Sequence, residues 1–579
     1  MDHSAAISKM TNKQNQTAAA LTIFLLLVIA PFYTQENAGG TGGLGLPYNI
    51  PQWIISSWII SYALLLIVRS KTLIMPNGYY FFAAFPVAVM LSSILADIID
   101  PITWLFRQFY ILGGFLFLFS LFQFRLKQRS IETILFGLVL AIVLHSTIGL
   151  QQIIFPKEQW AWFLPSGDGV PRGMFEQINV QASYLATGMI ISFYLISRPF
   201  FRSASLLTKT IFILSFGLST YIIIFSGSRV GLLSIAFGLS LVFISRRKQL
   251  LTQKTMLVSL IIVSICASFL AQEGFDHTLD KTIRVTEGEY STARLSMYSI
   301  GLDLARQEPL HGHGIGSFLR VWNLQATTFL EQHPSATLPR YATHPHNELL
   351  FWLIEGGMAV LSGILLLMLG IFIALIKCGF QRGVSYAAMA LPIALHTQVE
   401  LPFYTSAVHW FLWLFLIYMA LRHNQKTTQI RISESARKLL QFFALFFAIT
   451  VTYFMVHCAR SQSDIFNYLY NKQVKPPYLQ IAYDNLYFRP LADKVATRSL
   501  FFSSLKNNNK EKVLHYLLWA EDYVKSAPEP EIYSDLAKTA TYLKTDKKAC
   551  ELVKEGAQMY PRYEELQEAV ARCAVNGVN

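Results

Sequence analysis

The chain has 579 residues, of which 53% are hydrophobic and 14% charged, with a formal net charge of +13. A soluble protein carries roughly a quarter charged residues. Here apolar runs of about 20 residues, each long enough to cross a bilayer core of about 30 Å, recur along the chain, which excludes a soluble enzyme and, because strand alternation is missing, a membrane β-barrel.

Thirteen spans are predicted, near residues 18–33, 51–68, 78–95, 108–124, 131–155, 179–197, 210–226, 230–245, 255–272, 347–376, 384–400, 406–422 and 439–457. The fold class is therefore an all-α polytopic membrane protein of about 13 transmembrane helices. The first run lacks a small-residue cleavage site and reads as a retained span. The run 347–376 is long enough to be tilted or kinked.

The basic residues sit in short clusters between these runs, which orients a membrane protein and argues against a nucleic-acid partner. With residues 1–17 inside, 21 Lys and Arg fall in cytoplasmic segments, among them Arg69, Arg125, Arg198, Arg246, Arg382 and Arg422. The short outside loops hold Arg107, Lys157, Arg172 and Arg229. Every connection alternates as the positive-inside rule demands. The expected organisation is a span block 18–272, a large outside loop 273–345, a second span block 346–457 and an outside tail 458–579.

Candidate chemistry gathers at the outward ends of the spans. Arg172, in "DGVPRGMFEQ", and Arg229, in "FSGSRVG", face outside against the charge trend; Arg294, in "YSTARLSMY", lies in the large loop. A guanidinium grips phosphate oxygens in a fork and stays charged, which suits a lipid diphosphate. The alternative for each is snorkelling to headgroups or pairing with a carboxylate. Gln177 and Asn179 open the sixth span, where their amides can hold a substrate group or, for Asn179, cap the helix.

His344 and His346, in "THPHNELLFWLIEGG", stand where the loop enters the tenth span, with Asn347 as its N-cap. An imidazole at an anion-friendly helix end can orient or deprotonate an attacking hydroxyl beside a diphosphate; the alternative is a capping or headgroup-contacting histidine. His311 and His313, in "EPLHGHGIGSF", pair with no carboxylate or Cys that completes a ligand set, and the alternating glycines read as a tight turn, so no metal is expected. Glu355, before Gly356 and Gly357, reads as polar glue within the span. His396 and Glu400, in "HTQVELPFY", are four apart on one helix face, either functional or a structural ion pair. Tyr404 follows in the next outer turn, placed to hydrogen-bond a sugar or phosphate or simply to join the aromatic belt.

The tail reads as soluble amphipathic helices. Ala527-Pro528 and Tyr560-Pro561 recur 33 residues apart, close to the tetratricopeptide period; a plain helical hairpin domain is the alternative. Cys550 and Cys573 both fall here, 23 residues apart, and a bridge between neighbouring helices is open to them.

The order "SGSRVG", "ARLSMYSIGLDLARQEPLHGHGIGSF", "HPHNELLFWLIEGG" resembles the O-antigen ligase/polymerase superfamily, whose core has a Ser-Arg at a span mouth, an Arg-containing loop ending in Pro-Leu-x-Gly-x-Gly, and a His-Asn entering the next span. Within it, "RGMFEQINVQASYLA", "HPHNELL" and "HTQVELPFY" look more like the protein O-oligosaccharyltransferases of the PglL type. The resemblance implies a GT-C-like glycosyltransferase of the bacterial inner membrane, acting at its periplasmic face without a cofactor. It implies a polyprenyl-diphosphate-linked oligosaccharide donor and a Ser or Thr acceptor in a protein such as a pilin, with transfer to lipid A core as the alternative and polymerisation of glycan repeats as a third; a transporter or flippase is the reading from a different class. Carried over by position, the donor-binding or catalytic glutamine is Gln177, the essential loop histidine His346 and the late tyrosine Tyr404, while Arg229 and Arg294 match the functional arginines. The chain departs from the pattern at Gln-Ile-Asn, where the family has Gln-Pro-Asn, and at Glu-Leu-Pro, where it has Glu-Tyr-Pro.

Overall fold

The computed structural model describes residues 3–158, 166–272, 274, 292–339, 341–424, 427–471, 478–543 and 546–575. Each of the thirteen apolar runs lies on a helix. In order these are α1 (His3–Phe24, prolonged by a π-helical turn, Leu25–Ile29, and a 3₁₀ turn, Ala30–Phe32), α2 (Ile50–Ser70), α3 (Tyr79–Leu95), α4 (Pro101–Phe124), α5 (Gln128–Ile154), α6 (Ile178–Ile196), α7 (Leu206–Phe225), α8 (Arg229–Leu250) and α9 (Lys254–Leu270). After α10 (Ala293–Gln307) and α11 (Phe318–Gln332) come α12 (Glu348–Lys377), α13 (Phe380–His396), α14 (Ala407–Asn424) and α15 (Glu434–Tyr470). The tail adds α16 (Arg489–Lys506), α17 (Lys510–Ser526), α18 (Pro530–Leu543), α19 (Lys547–Met559) and α20 (Glu564–Val575).

Among the described residues, eight helical stretches are long and apolar enough to cross a membrane, one of them, Arg229–Leu270, holding both α8 and α9. The segments α3 and Ala407–His423 of α14 are apolar but shorter. The architecture is that of an all-α multi-pass membrane protein. Its helices start where short polar side chains satisfy the first free N–H groups: Ser205, Ser228 and Ser433 cap α7, α8 and α15.

By internal contacts the chain divides into two compact units. Unit 1 comprises Met1–Ala83, Ile111–Thr282 and Leu366–Lys472. Its centre is α6, largely apolar and buried at every residue from Val180 to Ile196, with α5, α7, α8 and α13 around it. α15 runs along α2, where Trp58 Nε1 donates to Thr452 Oγ1 at 3.0 Å. A short antiparallel pair, β1 (Thr72–Pro76) with β2 (Thr427–Arg431), was not legible in the sequence. The Gln123 amide accepts from Ile74 N (3.1 Å) and donates to Ile74 O (2.9 Å), so backbone groups of β1 that face away from β2 are satisfied.

Unit 2 comprises Ala84–Tyr110, Ile283–Leu365 and Gln473–Asn579, and so unites the loop with the tail, which the sequence presents apart. Arg320 of α11 donates to Val524 O (3.0 Å) and pairs with Glu555 (2.9 Å), and Thr327 donates to Gln558 O (2.6 Å). Tail helices pack each on the next, α18 on both α19 and α20. Cys550 and Cys573 form a disulfide between α19 and α20, with Cα atoms 5.9 Å apart.

α12 is broken at Gly357, whose φ of 61° and ψ of −164° suit glycine and little else. A break frees backbone groups on both sides, and the Pro309–Gly314 segment takes them up. His313 N and Gly314 N donate to Ile354 O (2.9 Å) and Glu355 O (3.0 Å); Met358 N and Ala359 N donate to Pro309 O (2.8 Å) and Leu310 O (3.1 Å). Gly312 permits the approach, since a Cβ there would meet the Glu355 carbonyl carbon at 2.5 Å. Glu355 accepts from Phe318 N (3.2 Å) and pairs with Arg107, whose guanidinium lies 4.5 Å over the Phe351 ring.

Candidate functional site

The sequence-predicted residues fall into two groups, one in each unit. In unit 1, Gln177 is the N-cap residue of α6, and its buried Oε1 has no hydrogen-bond partner among the described residues. Two residues on, Asn179 Oδ1 accepts from Ser228 Oγ at 2.9 Å. Ser228 also caps α8, of which Arg229 is the first residue. The N-terminal ends of α6 and α8 are thereby joined, and Gln177, Asn179 and Arg229 share one end of the bundle. Two helix N-termini side by side favour an anion.

The loop before Gln177 is held from α5. Gln152 Oε1 accepts from Arg172 N and Gly173 N, both at 2.8 Å, and its Nε2 donates to Gly173 O at 2.9 Å. Arg172 itself forks onto Asp168, at 2.9 and 2.6 Å. That pairing holds the Asp168 carboxyl below the ordinary carboxylate range. Of the two alternatives for this arginine, the carboxylate partner is the one the structure displays. Glu176, at a left-handed φ of 56°, accepts from Asn37 Nδ2 at 2.8 Å; burial pushes its carboxyl up, against the Asn37 hydrogen bond and the Arg172 charge.

Tyr48 and Asn49 link this loop to the turn that bears Tyr404. The Tyr48 hydroxyl donates toward Phe175 O (3.1 Å) and Thr405 O (2.9 Å), and Asn49 Nδ2 donates to Thr405 O (3.0 Å). The Tyr404 ring is 42% exposed and lies against Gly42, where any Cβ would collide with it. Tyr404 and Gln177 thus stand on two segments that one tyrosine braces.

The expected helix face carrying both His396 and Glu400 is not formed. α13 ends at His396; Glu400 closes the following turn with its backbone N–H on His396 O at 3.0 Å. Pro402 biases the chain before it away from helix. The His396 ring turns inward instead, its Nδ1 2.8 Å from Ser183 Oγ on α6. Ser183 Oγ is also 3.0 Å from His409 Nε2 on α14, and His409 Nδ1 is 2.9 Å from Ser406 Oγ. All four side chains are buried. Sequence reading missed Ser183, Ser406 and His409, although a histidine inside an apolar run is itself a signal. It missed His145 as well, which stacks on Phe175 with ring centres 4.8 Å apart.

In unit 2, Asn347 Oδ1 accepts from Leu350 N at 2.9 Å and caps α12, as its position predicts. His346, immediately before it, has a φ of 54°, a conformation that non-glycine residues seldom hold and that recurs at functional sites. Its backbone N–H donates to His344 Nδ1 at 3.3 Å, and the two rings meet edge to face at 4.4 Å. The Tyr298 hydroxyl donates to His346 O at 3.3 Å. Arg294 precedes Tyr298 by one turn of α10 and shares its helix face. His313 is placed otherwise, its Nε2 3.0 Å from Leu304 O, which suits its part in the docked loop.

Residues 214–365 match the family model described as O-antigen ligase, and residues 385–574 match that described as virulence factor membrane-bound polymerase, C-terminal. Together they span more than half of the chain. The chain belongs to the O-antigen ligase/polymerase superfamily. No curated protein matches it. In this superfamily member Arg229, Arg294, His344 and His346 fall within the first match, and His396, Glu400, Tyr404 and the tail helices within the second. Family and helices agree on a multi-pass membrane enzyme of glycan transfer.

Proposed function

We propose that the protein transfers an oligosaccharide from a polyprenyl-diphosphate-linked donor to a Ser or Thr hydroxyl of a periplasmic protein, such as a pilin, at the outer face of the inner membrane. The observation that carries this reading is His346, held at a left-handed φ just before the capped start of α12, with Tyr298 of α10 bonded to its carbonyl and Arg294 one helical turn before Tyr298. An acceptor hydroxyl is a weak nucleophile until it is aligned and its proton has a destination. His346 takes that proton, with His344 as the reserve base. The acceptor oxygen forms the new bond to the anomeric carbon, the bond from that carbon to the phosphate oxygen breaks, and polyprenyl diphosphate leaves with the electron pair. Arg229 and Arg294 stabilise the charge developing on the leaving oxygen, in place of a divalent ion. Gln177, Asn179 and Tyr404 hold sugar or acceptor groups.

Protein as acceptor is supported by "RGMFEQINVQASYLA" and "HTQVELPFY", which resemble the protein-glycosylating branch. A second reading, transfer to a glycan or to lipid A core, is favoured by the descriptions of the two matched families. Mass spectrometry of pilus and envelope proteins and of lipopolysaccharide, with and without the gene, separates the two. Loss of a glycan from protein is expected; loss from lipopolysaccharide alone overturns the protein acceptor. With purified lipid-linked donor, His346→Ala should lower turnover by about 10²–10⁴-fold, the usual contribution of a general base, while the protein still inserts.

A further inference from the structure

A second polar cluster lies at the other end of unit 1. α8 begins at Arg229 and reaches Arg246 about 25 Å further along its axis, at a rise of about 1.5 Å per residue. There it meets the last turn of α6, the first turns of α13 and, through Tyr386, the last turn of α14. Arg246 is only 5% exposed, whereas its neighbours Arg247 and Lys248 are exposed. Its Nε donates to Ser385 Oγ at 3.1 Å, and its guanidinium lies 5.3 Å over the Tyr194 ring. Its Nη2 is buried with no hydrogen-bond partner among the described residues.

More positive charge crowds the same place. The Arg198 guanidinium lies 5.8 Å over that same Tyr194 ring and pairs with Glu132 at 2.8 Å. Arg382 is within electrostatic reach of Arg246, and Arg422 of Tyr386. Tyr386 Oη and His423 Nε2, 2.7 Å apart, add a polar wall. The connecting segments 197–210, 246–255, 377–384 and 422–433 contain no Asp or Glu. The positive-inside rule accounts for exposed cations at such an end. It does not account for one that is buried, keeps an unused donor and collects further guanidiniums around it. A buried guanidinium is costly unless an anion meets its donors.

We propose that this cluster binds the phosphate of an anionic phospholipid headgroup from the leaflet at that end of the bundle. The guanidinium fork matches two phosphate oxygens. The cluster lies at the ends of apolar helices, the depth at which headgroups run, and basic pockets between spans take such headgroups. A free phosphate offers the same oxygens without the acyl chains, and the experiment separates the two.

The full-length protein is purified in mild detergent, and lipid adducts are counted by native mass spectrometry during titration with phosphatidylglycerol or phosphatidylcholine. The wild type should retain phosphatidylglycerol in preference. Arg246→Gln should weaken that retention by about fivefold to tenfold, the loss of one basic contact at a charged membrane surface. Arg382→Gln, an exposed position that leaves the core intact, should weaken it in the same direction and decides the matter if Arg246→Gln fails to fold. Equal retention of the two lipids by the wild type overturns the proposal, as does wild-type retention in Arg382→Gln together with any folded Arg246→Gln. Inorganic phosphate that abolishes the phosphatidylglycerol adduct at millimolar concentration overturns the lipid source and assigns the site to free phosphate.

Discussion

His346 and Arg229 show what a single position contributes. Both stand at the start of a helix beside a polar cap, His346 just before Asn347 and Arg229 just after Ser228. For Arg229, whose fork is matched to phosphate geometry, the two conservative tests differ. Arg229→Ala should cost the most in turnover, and Arg229→Lys should recover only part, because an ammonium is a point charge without the planar fork. Full recovery by lysine, measured as kcat/KM on a lipid-linked donor, would reduce the arginine to a general positive field. The assignment of leaving-group charge to arginines also predicts turnover that survives EDTA. Activity lost to the chelator and restored by one particular ion would overturn that assignment. At this scale the sequence offered candidate residues but not their partners. Asn179 with Ser228, and His396 with Ser183 and His409, join residues tens to hundreds of positions apart, and no local pattern encodes such pairs. Asp168 and Arg172 are local, four residues apart, but they pair within a loop, where no helix face makes the spacing a signal.

Among the elements, α12 carries the sharpest consequence. Its break at Gly357 and the docked Pro309–Gly314 segment leave Glu355 buried at 1% exposure, with Arg107 as counter-ion. Removing one partner of such a pair strands the other charge and typically costs about 3–5 kcal/mol. Arg107→Ala should therefore destabilise the purified protein strongly, and Glu355→Gln in the same chain should recover a good part of the loss, since a neutral amide needs no counter-ion. Thermal unfolding of the two single variants and the double variant in detergent measures this. Strict additivity would mean that the pair is not coupled. That each of the thirteen apolar runs lies on a helix was legible, because a bilayer fixes both the length and the apolarity of what crosses it; eight described stretches meet both requirements. The break was not legible. Two adjacent glycines in an apolar run announce close packing as readily as a turn, and only the loop docked against them makes the difference. The small β1–β2 pair escaped for a related reason: "TLIMP" and "TTQIR" are too short to show alternation.

For the molecule as a whole, the direction of α8 turns charge into topology. Arg229 opens the helix; Arg246 and its basic neighbours close it, about 25 Å away by helical rise. The clusters around Arg198, Arg246, Arg382 and Arg422 should face the cytoplasm, which sends Gln177, Asn179, Arg229 and Tyr404 to the opposite face. The same alternation, counted through the thirteen runs, should send the tail outside, where an oxidising compartment would sustain the Cys550–Cys573 bridge. Single cysteines introduced at exposed positions test this in a chain whose Cys266, Cys378 and Cys458 are replaced by serine. In intact cells an impermeant maleimide should label Lys157→Cys, and Lys512→Cys in the tail once the outer membrane is permeabilised. Ser203→Cys should react only after the inner membrane is opened. Labelling of Ser203→Cys ahead of Lys157→Cys would invert the bundle. An inverted bundle would put Arg229 and Tyr404 on the side where acceptor proteins are still being made, and transfer to a periplasmic acceptor would fall with it.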